Sequence, residues 1–347
     1  MTAPRNKINA LVLSALLSAG GPAFAGAGTS AVSTLKLDGA ARPLALGGAF
    51  AAVADDASAM FYNPSGIAQL DKKQILFTHT EWLAGVRTEY LACALPLTEK
   101  WTVGLGANFG FADDVSQYDA SGNKSGSFGA NEGYGLVNLA YQPFKNMAFG
   151  GSGKFIRQSV SDKNAAAYAF DLGAIFYNRL VRLGAAVQNA AGTKMKLATE
   201  EFPLPVTLRG GVTITPWNSL LATAEYVKPN DEDMSMRVGA EYVFGFEDGS
   251  AVEIPVRCGW RSGQSDGAGQ GFALGLGIKT KDMSFDYAFM PCGDLGNAHK
   301  MTLAFKFGSA RAGTTGLSQR FRRSPAEKNT DRFDREPEDP EILVLPE

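Results

Sequence analysis

The chain has 347 residues, of which 40 are glycine and 22 phenylalanine, and 20% of its residues are charged. Lysine and arginine total 33 against 35 aspartate and glutamate, so the formal net charge of −2 gives no basic field for nucleic acid, which we exclude as a partner. Many glycines and aromatic residues with few charges favour strands and turns over a helical protein.

Residues 1–25 have the features of a secretory signal peptide. Arg5 and Lys7 precede an apolar run, and Ala23-Phe24-Ala25 fits a small-x-small cleavage site. The run is short for a membrane span, so an uncleaved anchor is the less favoured alternative. We therefore expect the mature protein to leave the cytoplasm.

Residues 26–72 form an N-terminal segment without the alternation of a strand. Its stretch 46–66, LGGAFAAVADDASAMFYNPSG, begins with small residues that predict a slim helix. Asp56 is placed to cap a short helix, and Asn63-Pro64 turns the chain. A slim segment that turns sharply fits inside a tube, so we predict a lumen plug. The plug motif comprises Gly47, Gly48, Asp55, Asp56, Phe61, Tyr62, Asn63, Pro64 and Gly66.

Residues 73–307 alternate between large apolar and small or polar side chains. Trp101, Val103 and Leu105 share one face, for example, and Thr102 and Gly104 share the other. Most segments of this kind are about 9 to 13 residues long, which suits tilted membrane strands better than globular ones. We predict fourteen strands: 73–82, 86–96, 100–111, 131–142, 146–158, 165–177, 179–188, 205–214, 219–228, 234–245, 250–262, 269–279, 282–290 and 297–307.

The large apolar face is expected to point outward. A barrel of fourteen strands has a lumen too wide for side chains to fill, whereas lipid accepts an apolar exterior. Backbone groups in hydrocarbon need partners, so the sheet must close by pairing 73–82 with 297–307. The sequence predicts an all-β fold: a 14-stranded antiparallel transmembrane β-barrel in the lipid of the bacterial outer membrane, with an N-terminal plug segment in the lumen.

The inferred lumen face carries charges of both signs, which favours cross-strand pairs that hold the wall together over a ring that selects ions. These lumen charges are Lys154, Asp171, Arg182, Arg209, Glu225, Arg237, Glu241, Glu253, Arg257, Arg261, Asp286 and Lys306.

Two connections and the C-terminus complete the prediction. Residues 112–130 are polar and glycine-rich, which predicts a mobile loop, whereas 189–204 contains apolar residues and is expected to fold over the barrel mouth. Residues 308–347 become charged and proline-rich, which predicts a disordered tail, with contact to periplasmic partners as the alternative.

Reactive chemistry is not indicated. Cys93, Cys258 and Cys292 lack metal-ligand spacing, and His299 has no serine in a nucleophile setting, while His79 lies on the first predicted strand. We predict no catalytic residue, no metal and no cofactor, and hence no enzyme.

Three stretches carry a family resemblance. Residues 46–70, 187–212 (VQNAAGTKMKLATEEFPLPVTLRGGV) and 286–308 (DYAFMPCGDLGNAHKMTLAFKFG) resemble the PorV/PorQ family of outer-membrane barrels, which is akin to the FadL-type transporters of hydrophobic compounds. Ser65 departs from the alanine usual after Asn-Pro in that family. The resemblance implies a fourteen-stranded barrel with its N-terminal segment in the lumen.

The resemblance leaves three functions open. One is transfer or docking of exported proteins beside secretion components, as in PorV-type relatives. Another is uptake of a hydrophobic small molecule, as in FadL-type relatives, and the third is a purely structural anchoring barrel. An apolar pocket near Phe61 and Tyr62 would favour the transporter.

Overall fold

The computed structural model describes residues 30–197, 199–245, 251–263 and 271–311. The predicted signal peptide lies outside the described residues, as does the tail after residue 311. The strands are β1 (Lys73–Glu81), β2 (Arg87–Pro96), β3 (Trp101–Tyr118), β4 (Lys124–Phe144), β5 (Met147–Val160), β6 (Lys163–Tyr177), β7 (Val181–Ala190), β8 (Met195–Leu197), β9 (Glu200–Phe202), β10 (Thr207–Trp217), β11 (Leu220–Pro229), β12 (Ser235–Phe244), β13 (Ile254–Arg261), β14 (Phe272–Lys279), β15 (Met283–Pro291) and β16 (Asn297–Phe307).

The described strands other than β8 and β9 form one closed barrel of fourteen antiparallel strands. Each strand pairs with its neighbours in the chain, and β1 closes the sheet by pairing with β16 from Lys73↔Phe307 to Glu81↔His299. The predicted fold class is therefore confirmed. The short connections 145–146 and 218–219 lie at one end, here the turn end, while 119–123 and 191–206 lie at the other, the loop end.

The barrel wall separates two kinds of side chain. Outward positions carry exposed large apolar residues from every part of the wall, such as Phe109, Val238 and Phe305, whereas inward positions are buried. Such a surface is stable only against hydrocarbon, and a closed single-chain barrel with this belt is the architecture of the bacterial outer membrane. The outer-membrane location predicted from the sequence is confirmed on this basis.

The expected mobile loop at 112–130 is wrong. Strands β3 and β4 continue as a two-stranded ribbon beyond the ends of β2 and β5, and only residues 119–123 connect them. The backbone pairing between β3 and β4 continues through Ser127 and Phe128, which pair with Ser116 and Val115. The register shifts after Ala112 and again after Gln117. The sequence did not predict this pairing, because a ribbon in water needs no apolar face and so lacks the alternation of apolar and polar residues that marks the membrane strands.

Connection 191–206 folds back toward the barrel, in line with the sequence. It contains the small β8–β9 hairpin, in which Met195 is fully buried, and Leu204 is buried in the same apolar cluster. The backbone N–H of Ala31 donates to the carbonyl of Pro203 at 3.1 Å, so the connection holds the start of the N-terminal segment.

The N-terminal segment is compact but less helical than predicted. It contains α1 (Ala41–Ala45) and the 3₁₀ turns Ser33–Lys36, Ala57–Phe61 and Gly66–Gln69. Residues 46–54 form turns instead of the expected helix, because Gly47 and Gly48 adopt left-handed φ values of 68° and 81°. No helix among the described residues is long and apolar enough to cross a membrane.

Candidate functional site

The N-terminal segment lies inside the barrel and touches the whole wall. Lumen-facing glycines of β3, β5, β6, β7, β10, β12, β13 and β14 lie so close to it that an added Cβ would meet segment atoms. Side chains of β1, β2, β4, β11 and β16 contact it through hydrogen bonds or rings, and Met290 of β15 packs in one cluster with α1. The segment therefore contacts all fourteen strands of the barrel.

Backbone contact explains why the lumen face is rich in glycine. At Gly259 an added Cβ would lie 2.1 Å from the backbone nitrogen of Gly47, and at Gly239 it would lie 2.6 Å from the carbonyl oxygen of Leu46. Real Cβ atoms do not approach so closely, so only glycine lets the segment lie against the wall here. Gly66 allows close packing within the segment itself, because an added Cβ at this position would meet Ala54.

Asn63 fastens the middle of the segment to the wall. Its side-chain amide donates to the carbonyls of Ala51 at 2.8 Å and Ala174 at 3.0 Å. Its oxygen accepts from the Ser65 hydroxyl at 2.6 Å, which holds the turn through Pro64. One buried amide thus links two parts of the segment and strand β6.

An ionic cluster, here the Arg42 network, lies on the turn side of the segment. Arg42 donates to Asp55 at 2.5 Å, to Asp56 at 3.2 Å and to Glu241 at 2.8 Å. The wall continues the network, because Glu241 also accepts from Arg257 at 2.5 Å and Asp55 accepts from Arg182 at 3.0 Å. Arg257 in turn donates to Asp286 at 2.6 Å.

Asp56 also has the capping role expected from the sequence. Its carboxylate accepts from the backbone N–H of Ser58 at 2.9 Å and begins the turn Ala57–Phe61.

A second ionic cluster, the Asp38 network, lies on the other side of the segment. The Asp38 carboxylate accepts from Arg261 at 2.6 Å and from the Tyr62 hydroxyl at 3.2 Å, and Arg237 lies 3.9 Å away. Lys300 donates to the Asp38 carbonyl. One acid of the segment thus gathers cations from β12, β13 and β16.

Two further wall pairs support the segment and the loop end. Arg209 donates to Glu225 at 2.5 Å, and Glu225 accepts from the backbone N–H of Ala51 at 2.6 Å. Lys154 lies 2.8 Å from Asp171, whose carboxylate also accepts from the Asn189 N–H at 2.7 Å.

Lys36 ties the start of the segment to the β11–β12 connection. Its ammonium lies 2.7 Å from Asp231 and 2.6 Å from Glu232. Burial opposes ionisation of Asp231, but the hydrogen bond from Lys36 lowers the pKa of Asp231 below its ordinary value.

An apolar contact region, the aromatic seam, lies between the segment and strands β2–β4. It consists of Met60, Phe61, Tyr90 and Tyr134, with the Phe61 ring centroid 3.9 Å from that of Tyr90 and 5.8 Å from that of Tyr134. Tyr62 points away from the seam, toward Phe50 and Arg209. The segment is therefore held by ion pairs on its turn side and its loop side, and by ring contacts against strands β2 and β4.

The remaining predicted charges lie near the turn end. Glu253 precedes β13 and lies 3.3 Å from Lys279, and Lys306 lines a polar opening beside the Arg42 network. Sequence reasoning missed Asp38, Arg42 and Lys300. Lys300 could have been predicted, because it lies on the same face of β16 as Thr302 and Lys306. Asp38 and Arg42 could not, because they lie in a segment without a periodic pattern.

The two histidines each pair with a neighbouring wall side chain. His79 Nδ1 lies 2.6 Å from Glu89, and His299 Nδ1 lies 2.8 Å from the Tyr287 hydroxyl. The described part of the chain holds no cluster of three or more His, Cys, Asp or Glu side chains suited to a metal ion.

Comparison with known proteins identifies the fold. Residues 18–155, less than half of the chain, match the model of the uncharacterised protein family UPF0164, and no curated protein matches the chain. The Ralstonia pickettii toluene transporter TbuX is similar in structure, with TM-score 0.54 and 14% identity over 78% of this chain and 99% of that one.

Two further solved structures agree. A Pseudomonas aeruginosa FadL homologue aligns with TM-score 0.50 and 10% identity over 75% of this chain and 96% of its own. The CymD monoaromatic hydrocarbon channel aligns with TM-score 0.51 and 11% identity over 77% and 97%. At these identities the likeness shows the fold, and the expected FadL-like barrel is confirmed.

Proposed function

We propose that the protein is a non-enzymatic transporter of small hydrophobic molecules across the outer membrane. The observation that carries the proposal is the aromatic seam, an apolar contact between the lumen segment and the wall that contains Phe61, Tyr90 and Tyr134. The structural neighbours include proteins described as toluene and monoaromatic hydrocarbon transporters, which supports this class of cargo.

The ionic networks and the aromatic seam differ in the contacts that a passing molecule must separate. Movement past the Arg42 network would separate buried ion pairs, each of which costs several kcal/mol to break. Movement along the seam would separate only apolar rings, which a hydrophobic molecule replaces with contacts of its own. The seam is therefore the favoured route, with the segment acting as a plug that excludes polar solutes.

Uptake by intact cells tests this function. Cells that lack a transporter of their own would express the barrel and receive radiolabelled toluene or radiolabelled glucose. We expect toluene to enter several-fold faster than in cells with an empty vector, with glucose entry unchanged. Phe61→Ala should change the toluene rate, whereas the outward-facing control Tyr168→Ala should not.

Two outcomes would reject the transporter. Equal acceleration of glucose and toluene entry would indicate an open pore. No acceleration of toluene entry would show that the seam does not carry small hydrophobic molecules of this kind.

A PorV/PorQ-type role in docking exported proteins is the second candidate. The ribbon of β3 and β4 favours it, because residues 112–118 and 124–128 extend beyond their neighbouring strands and expose unpaired edges that a partner strand can join. Replacing residues 113–128 with a two-residue turn should then abolish capture of exported proteins from the native membrane. An anchoring barrel, the third hypothesis, would show neither uptake nor such capture.

A further inference from the structure

The Asp38 network contains more positive than negative charge. Its three cations are Arg237, Arg261 and Lys300. In the part of the chain that the structure describes, Asp38 is the only carboxylate within 4.0 Å of the two guanidinium groups, and Lys300 reaches the Asp38 carbonyl and not its carboxylate. In the Arg42 network, by contrast, each arginine contacts at least one acid. The excess of positive charge is therefore specific to the Asp38 side of the segment.

Two of these cations lie directly opposite each other in the wall. Arg237 on β12 and Arg261 on β13 are register partners, and both side chains point into the lumen toward Asp38. Like charges at such positions repel each other, because the Cβ atoms are only about 4.5–5.5 Å apart. The neighbouring Arg209 does not change this balance, because it is paired with Glu225 at 2.5 Å. One carboxylate thus faces two guanidinium groups and an ammonium group, and burial makes the uncompensated charge costly.

The Arg237 guanidinium also has donors without an acceptor. Its Nη1 lies 3.9 Å from Asp38 Oδ1, which is beyond the length of a hydrogen bond. Nε and Nη1 of Arg237 are buried without a hydrogen-bond partner, and so is Nε of Arg261. Buried N–H donors beside uncompensated positive charge favour a ligand that brings negatively charged oxygen atoms.

The arginine pair lies near the loop end of the barrel. Arg261 is the last residue of β13, and Arg237 is the third residue of β12, which begins at the loop end. Longer loops of outer-membrane barrels face the external medium, so this is the level of the lumen nearest to that medium. Toward the turn end, at Gly239 and Gly259, the backbone of the segment lies so close to the wall that an added Cβ would overlap it. The wall beside the pair therefore has room for a small ion but not for a hydrocarbon chain.

We propose that Arg237 and Arg261 bind a small free oxyanion of the phosphate type. Planar guanidinium groups donate to two oxygen atoms of such an anion at once, and the Lys300 ammonium adds a third positive charge. A doubly charged anion together with Asp38 would bring these three cations to neutrality. The close approach of the segment to β12 and β13 favours a free ion over the acidic head of a hydrophobic molecule. The proposal depends on the fold and not on the transport function.

Equilibrium dialysis of the purified full-length barrel against radiolabelled inorganic phosphate tests the proposal. We expect saturable binding of one phosphate per barrel, with displacement by sulfate, which has a similar shape and charge. Arg237→Gln should weaken binding about tenfold or more, as expected for the loss of a charge-assisted hydrogen bond. Its fold should be retained, because the described structure shows no hydrogen bond from the Arg237 side chain.

Two further variants separate the site from general electrostatic attraction. Arg157→Gln removes the same charge from an exposed position on β5 and should leave phosphate binding unchanged. Arg237→Lys keeps the charge but not the planar fork, so it should bind phosphate more tightly than Arg237→Gln and more weakly than wild type.

Three results would overturn the assignment. Absence of saturable phosphate binding to the wild-type barrel at millimolar concentration would exclude an oxyanion site. Unchanged affinity in Arg237→Gln would place the bound phosphate elsewhere. Displacement of phosphate by octanoate at concentrations at which acetate has no effect would show that the pair holds the acidic head of a hydrophobic molecule instead.

Discussion

Replacing Asn63 by alanine should release the lumen segment without destroying the barrel. The change removes two donated hydrogen bonds, to Ala51 and Ala174, and the two bonds accepted from the hydroxyl and the backbone N–H of Ser65. A net hydrogen bond contributes about 1 kcal/mol, and a buried carbonyl left without a donor costs about 1–3 kcal/mol. We expect about 3 kcal/mol less free energy holding the segment, hence about a 100-fold larger released population.

Planar-bilayer recording measures that population directly. The expected result is a rise of about two orders of magnitude in the frequency of open-channel events, with normal heat-modifiable migration of the barrel. Asn138→Ala is the matched control, because Asn138 is buried and bonds only to Ser152 within the wall. Equal event frequencies in wild type and Asn63→Ala would refute the claim that this amide holds the segment.

Three other changes test the wall and the ionic contacts. Gly259→Ala should push the segment away from β13, because overpacking costs about 1–3 kcal/mol, and should therefore increase leakage of a small dye from liposomes. Gly210→Ala is the control and should not increase leakage, because its added Cβ would have no atom within 4 Å. Val238→Lys on the lipid face should cost ~2–4 kcal/mol and reduce the heat-modifiable yield, while Leu97→Lys at the turn end should cost at most about 1 kcal/mol. Arg42→Gln should lower the denaturant midpoint of dye-leak onset, because it leaves buried acids short of a partner at a cost of about 3–5 kcal/mol; an unchanged midpoint would contradict the network.

The period-two pattern was sufficient to predict the barrel. The alternation of large apolar with small or polar side chains, such as that from Trp101 to Phe111, indicates which face of each strand contacts lipid. The number of strands, their orientation in the wall and the closure of the barrel could be inferred from it. Strand ends were less predictable, as the β3–β4 ribbon shows, because residues beyond the bilayer lose the requirement for an apolar face.

The lumen contacts were only partly predictable. Inward parity identified wall charges such as Arg182 and Glu241, but parity does not say which partner lies across the lumen. Asp38 and Arg42 belong to a non-periodic segment whose position depends on tertiary contacts with all fourteen barrel strands. The sequence does not indicate why glycines occur on the lumen face, whereas the structure shows that they leave room for this segment.

The central claim is that the N-terminal segment closes the barrel. Deleting residues 38–70 and recording single-channel conductance of the purified, heat-modifiable barrel tests it most directly. We predict a large, persistent conductance that wild type lacks. A deletion variant that forms the barrel yet stays as closed as wild type would contradict the account.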